Sequence, residues 1–165
     1  MITRAAKLSL LSGLALLFTL VVFNNVNDFN VNYQFVRHVM SMDTTLPGNH
    51  GLWRALPSPS LHLVFYLAII AWEIVTAILL WLGAVRLLRA LRLPASAFNA
   101  AKRTSILGLT LSLLLWLVAF LAVGGEWFLM WQSHVWNGQE EAFRMFFLTG
   151  VVLLILLQPE TGPER

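Results

Sequence analysis

The chain has 165 residues, 58% of them hydrophobic and 12% charged, with no cysteine and a net charge of +3. A soluble domain carries about a quarter charged residues, so this composition excludes an ordinary soluble fold, which would bare apolar patches that water does not tolerate. The missing thiols exclude disulfides, thiolate catalysis and cysteine-ligated zinc.

A bilayer core of about 30 Å is crossed by a helix of roughly 17–25 apolar residues. Four apolar segments are candidates, at about 7–23, 61–85, 105–123 and 142–157, the last being the shortest. Their apolar runs are continuous rather than alternating, and open strands leave edge groups that lipid cannot satisfy. The expected fold is therefore all-α. A single domain over 1–165 forms a four-helix transmembrane bundle, with a short interfacial helix in the first outer loop.

Arg4 and Lys7 precede the first apolar run in the manner of a signal peptide. Phe23-Asn24-Asn25 offers no small-x-small cleavage site, so an uncleaved first helix is expected. Ser9, Ser12, Gly13 and Thr19 mark a small-residue side suited to close helix approach. The first outer loop, 24–60, opens with Asn24, Asn25, Asn27, Asn30 and Asn32. Phe29, Tyr33, Val36 and Met40 then fall at helical spacing, which predicts an amphipathic interfacial helix over Asp28–Met42 with Asp28 as its N-cap. Pro47-Gly48-Asn49 is a turn, Trp53 and Arg54 suit an interfacial anchor or contact, and Ser58-Pro59 suit the start of the second span.

Glu73 falls at the middle of the second span. An ionised group at bilayer centre costs at least about 2.5–3.5 kcal/mol, so it should face the bundle interior. His62, Tyr66, Ile69, Glu73, Thr76 and Leu80 recur at spacings of three and four, which defines an inward polar stripe. Glu73, His62, Tyr66 and Thr76 form the expected intramembrane polar site. Glu73 is either a neutral acid bonded to a neighbouring helix or a site for a proton, a cation or a partner helix.

The connection 86–104 carries Arg86, Arg89, Arg92, Lys102 and Arg103, and Pro94 breaks any helix through it. In the third span Ser105, Gly108, Ser112 and Trp116 share a side. The second outer loop, 124–141, opens on Gly124-Gly125, which loosens the helix end, and carries Glu126, Trp127, Trp131 and Trp136. Such aromatic density suits a membrane interface. Arg144, at the start of the fourth span, is placed to pair with Glu126 or Glu141. Glu73 is expected to lie about 12 Å deeper, out of its reach. Eight of the eleven basic residues, Arg165 among them, fall on one side, and Arg37, Arg54 and Arg144 fall on the other. The positive-inside rule makes the first side cytoplasmic, with both termini.

Pro47-Gly48-Asn49 with Trp53-Arg54, Trp72-Glu73, Gly125-Glu126-Trp127, Trp136-Asn137-Gly138 and Ala142-Phe143-Arg144 run through nearly the whole chain. In these features it resembles a family of uncharacterised small bacterial integral membrane proteins of about this length. The resemblance implies four spans and an inner-membrane location, and no activity.

The residues show no phosphate loop, nucleotide fingerprint or nucleophile elbow, and the basic residues track topology rather than nucleic acid. A non-enzymatic role is expected: an accessory or scaffold protein contacting lipid or a larger membrane complex through Glu73 and the outer face of Trp53, Arg54, Glu126, Trp127, Trp131 and Arg144. The alternative is a small carrier or proton-coupled protein using Glu73. A third is a redox module with haem or quinone near His62 and His134. No metal site is expected, since His38, His50, His62 and His134 form no ligand-spaced pair.

Overall fold

The computed structural model describes residues 1–161, so Arg165 lies outside the described residues. Helix α1 runs Ile2–Asn27, and α2 runs Phe29–Ser41 from Asp28 as N-cap position, without a side-chain capping bond. A 3-10 turn at Leu52–Arg54 precedes α3, Pro59–Ala90, which starts after Ser58 with proline in its first turn. After Pro94 the chain forms α4, Ala95–Ala101, and α5, Arg103–Leu114. It continues as a π-helix over Leu115–Trp127, then makes a 3-10 turn at Met130–Gln132 and enters α6, Gln139–Leu157. Helix α1 packs on α3, α3 on α5, α5 and the π-segment on α6, and α6 on α1, closing a bundle.

Three helical runs are long and apolar enough to cross a membrane: Ile2–Asn27, Pro59–Ala90 and Ala95–Trp127. Helix α6 has 19 residues and differs in carrying Glu140, Glu141 and Arg144 near its start.

The bundle core is built from Leu11, Phe18, Leu80, Leu87, Leu109 and Leu156. A second cluster, with Val36, Met40, Tyr66, Ile70 and Phe128, lies under α2. The helices are also tied by polar bonds. Trp81 Nε1 donates to Thr19 Oγ1 at 3.0 Å, Trp72 Nε1 donates to the Leu111 carbonyl at 3.0 Å, and the Ser112 and Thr149 hydroxyls bond at 3.0 Å.

The small-residue expectation divides. Ser105, Gly108 and Ser112 are buried in the α3–α5 and α5–α6 contacts. Ser9 and Gly13 on α1 are exposed, and Gly13 has open space where a Cβ would stand. Ser9 and Gly13 thus do not mediate close packing within the chain, which corrects the expectation for them, while Thr19 meets Trp81 of α3.

At the basic end, a clamp gathers the chain after α6. Lys7 Nζ donates to the Gln158 carbonyl and to Glu160 Oε1, both at 2.6 Å, and Lys102 Nζ donates to the same Gln158 carbonyl at 2.7 Å. Asn99 bonds the Glu160 backbone in both directions, and Arg4 donates to the Leu91 and Leu93 carbonyls.

Candidate functional site

Glu73 is 1% exposed, near the middle of α3, on the stripe that also buries His62, Tyr66, Thr76 and Leu80. Glu73 Oε2 accepts a hydrogen bond from Asn25 Nδ2 at 2.6 Å, and Asn25 lies in the last turn of α1. Glu141, in the first turn of α6, lines the same cavity as Glu73. The middle of α3 is thus level with the end of α1. The first three turns or so of α3 overshoot that end and are covered by α2 and the loops.

The helix boundary differs from expectation, since Asn24–Asn27 continue α1 rather than open a loop. Asparagine is a modest helix former, and tertiary bonds hold it here. The last carbonyls of a helix lack intrahelical donors, and the Asn25 carbonyl accepts the Tyr66 hydroxyl at 2.8 Å. Asn25 therefore links two residues of the polar stripe, one through its side chain and one through its backbone.

A cavity of about 420 Å³ reaches Glu73 from the loop-bearing end. Its polar lining comprises Asn25, Asn32, Tyr66, Glu73, Asn137 and Glu141, and aromatic walls come from Phe35, Trp116, Phe120 and Trp136. The acidic residues of the lining are Glu73 and Glu141, with no lysine or arginine among the lining residues, and Glu141 pairs with Arg144. Among the described residues, Glu73 has no side-chain hydrogen-bond partner other than Asn25. A carboxylate within aromatic faces suits a cation, attracted by both the charge and the ring quadrupoles.

The wall formed by Trp116 and Phe120 belongs to the π-helix. Such helices are rare, occur mostly as single turns, and are frequent at functional sites. Here the wider register begins where Trp72 bonds the Leu111 carbonyl and closes with Phe128 N–H donating to the Val123 carbonyl at 2.9 Å. Leu129 follows with φ of 54°, a left-handed conformation that reverses the chain.

The other expected residues occupy separate places. His62 Nε2 donates to the Leu56 carbonyl at 2.6 Å, which fixes the start of α3 against the first loop. Thr76 is fully buried one turn from Glu73. His134 is exposed on the second loop and does not line the cavity around Glu73.

Arg54 lies 5.9 Å from the Trp53 ring and 5.7 Å from the Trp127 ring, and it donates to the Glu126 carbonyl at 3.2 Å. This cluster joins the two long loops through a backbone oxygen, not through the Glu126 carboxylate. Trp131 is half-exposed apart from it, and Arg144 pairs with Glu141 at 3.5 Å on an exposed face of α6. Sequence reasoning did not connect Asn25, Asn32, Trp136 and Asn137 to Glu73. The asparagine cluster was the visible signal, but its helical continuation was not.

A family model described as predicted small integral membrane protein (DUF2165) matches residues 3–159. No curated protein and no solved structure matches the chain.

Proposed function

Because this chain belongs to the DUF2165 family of predicted small integral membrane proteins, we propose that it is a multi-pass membrane protein that binds or carries a small organic cation at Glu73. One observation carries the proposal: the cavity that brings a buried, singly bonded carboxylate together with aromatic walls and no basic residue. An accessory or scaffold role is supported less, because it calls for a packed, dry interior around Glu73. A redox role near His62 and His134 is also supported less, since His134 is exposed on the second loop and does not line the cavity around Glu73. The proposal involves no enzyme chemistry, cofactor or nucleic acid.

The test uses purified protein in lipid nanodiscs, titrated with tetramethylammonium and read by calorimetry. Wild type is expected to bind, and Glu73→Gln to weaken binding by about tenfold or more, near 1.4 kcal/mol. No binding by the wild type, or equal binding by both proteins, overturns the proposal.

We further propose four spans in a bacterial inner membrane, with α6 as the fourth and the basic end cytoplasmic. Support comes from the bias of lysine and arginine toward that end. The charges that set α6 apart sit at its start, level with the polar cavity rather than along its apolar length. The cysteine-free chain allows a direct test. Val135→Cys should react with a membrane-impermeant maleimide in intact cells, and Leu93→Cys only after permeabilisation. Labelling in the reverse order refutes the orientation.

A further inference from the structure

Beyond the clamp of Lys7, Lys102 and Glu160, the basic end of the bundle exposes Arg86, Arg89, Arg92 and Arg103. The one carboxylate at that end among the described residues is Glu160, and Lys7 and Arg4 already engage it. Two of the exposed arginines flank the seam between α3 and α5, which approach closely at Gly83 and Ser105. Trp72, Leu79 and Arg86 recur at a spacing of seven on α3, as Thr104 and Leu111 do on α5, so each set keeps to one face. Trp72 Nε1 donates to the Leu111 carbonyl and Arg86 Nη1 donates to Thr104 Oγ1, so that side of the seam is tied at two levels. Leu82 and Leu107 are exposed, each about one turn from Arg86 and Arg103 on the same helix faces.

We propose that Arg86 and Arg103 hold the phosphate of one anionic phospholipid, whose acyl chain lies against Leu82 and Leu107. Charge and place select this occupant. A guanidinium presents five N–H donors in a planar fork that matches phosphate. The Thr104 bond uses one donor of Arg86 and holds the group across the α3–α5 seam. A side chain already held in this way loses less freedom when a ligand binds. A zwitterionic headgroup also brings an ammonium, which calls for a carboxylate, and Glu160 is engaged by Lys7 and Arg4. A net-anionic headgroup has no such requirement. The arginines stand about one turn from exposed leucines, the order in which a phospholipid presents its phosphate and its chain. Diffuse attraction to an anionic leaflet would be shared by every arginine at this end. Arg92, past the end of α3, carries the same charge without a side-chain bond to α5 among the described residues, which makes it the control. The site is about 20 Å along α3 from Glu73 and does not depend on what binds there.

The full chain in mild detergent is titrated with dioleoylphosphatidylglycerol and, separately, with dioleoylphosphatidylcholine, and the lipid-bound fraction is read by native mass spectrometry. Wild type is expected to bind the anionic lipid about tenfold more tightly than the zwitterionic one. Arg86→Gln combined with Arg103→Gln should weaken phosphatidylglycerol binding by about tenfold, and Arg92→Gln should leave it within about twofold of wild type. Arg103 makes no side-chain bond among the described residues. Arg103→Gln alone therefore tests the site even if Arg86→Gln loosens α3 from α5, and it is expected to weaken binding by about threefold. Equal losses from Arg92→Gln and Arg103→Gln overturn the site in favour of diffuse surface charge. Equal wild-type affinity for the two lipids overturns the anionic headgroup. Displacement of phosphatidylglycerol by excess inorganic phosphate assigns the arginines to a soluble anion and refutes the lipid.

Discussion

Gly83→Ala is expected to destabilise the bundle by about 1–3 kcal/mol, while Gly13→Ala leaves it unchanged or stabilises it by up to about 1 kcal/mol. Both glycines lie inside long helices, where alanine is the better helix former. Tertiary surroundings decide the sign. At Gly83 a Cβ would stand 2.9 Å from Ser105 Cα and 3.0 Å from Ser105 N, and backbone atoms cannot step aside as a side-chain tip can. The added methyl must push α5 away from α3, which loosens the contacts of Gly108 with Leu79 and Leu80 one turn on. At Gly13 a Cβ meets nothing within 4 Å. Denaturation midpoints of the two variants and wild type in one detergent check the pair. Equal midpoints for Gly83→Ala and wild type would mean that the α3–α5 approach is looser than the structure has it.

The same pair shows which parts of the fold were legible. Composition and continuous apolar runs located each long helix, because lipid leaves the backbone few alternatives. The spacing of Phe29, Tyr33, Val36 and Met40 predicted α2, Ser58-Pro59 marked the start of α3, and Pro94 marked the break before α4. A stripe of small residues marks a face that permits close approach, but cannot say which neighbour arrives there. Gly13 was singled out and faces open space, whereas Gly83 was passed over and carries the contact.

The candidate site failed to show itself for a related reason. Periodicity assigns a residue to a face of its helix, but the axial offset between helices is a tertiary quantity. Glu73 was assigned to the inward stripe and is buried there. Its place beside Asn25 required knowing that α3 overshoots the end of α1. The π-register of Leu115–Trp127 left no recognised pattern in the sequence, though it places Trp116 and Phe120 in the cavity wall. What the sequence offered at this site was therefore its chemistry, a carboxylate in an apolar span near a run of asparagines, without its geometry.

Removing the Glu160 carboxyl is expected to destabilise the protein by about 2–3 kcal/mol, read as the denaturation midpoint of Glu160→Ala. The side chains of Lys7 and Glu160 are 7% and 11% exposed, and the pair bonds at 2.6 Å. Arg4 approaches Glu160 at 3.5 Å, and Lys102 is 3% exposed beside them. Without the carboxylate, three cations crowd a site from which water is largely excluded, and such an unpaired charge costs more than the intact pair contributes. Lys7→Leu combined with Glu160→Leu should recover part of the loss, since it removes a charge of each sign. The pH dependence carries a definite sign. Burial pushes the Glu160 carboxyl up, but the Lys7 hydrogen bond and the charges of Lys7, Lys102 and Arg4 outweigh it and hold the group below the usual carboxylate range. A carboxyl depressed in the folded state contributes stability that is fully present above its unfolded value, about 4.3, and is lost as the pH falls through its folded value. Wild type should therefore lose stability on acidification below about pH 4.3 by more than Glu160→Gln does. Parallel acid profiles for the two proteins would show that the clamp holds Gln158 through its carbonyl alone. The docking of the chain after α6 onto α1 and α4 would then owe nothing to the Glu160 charge.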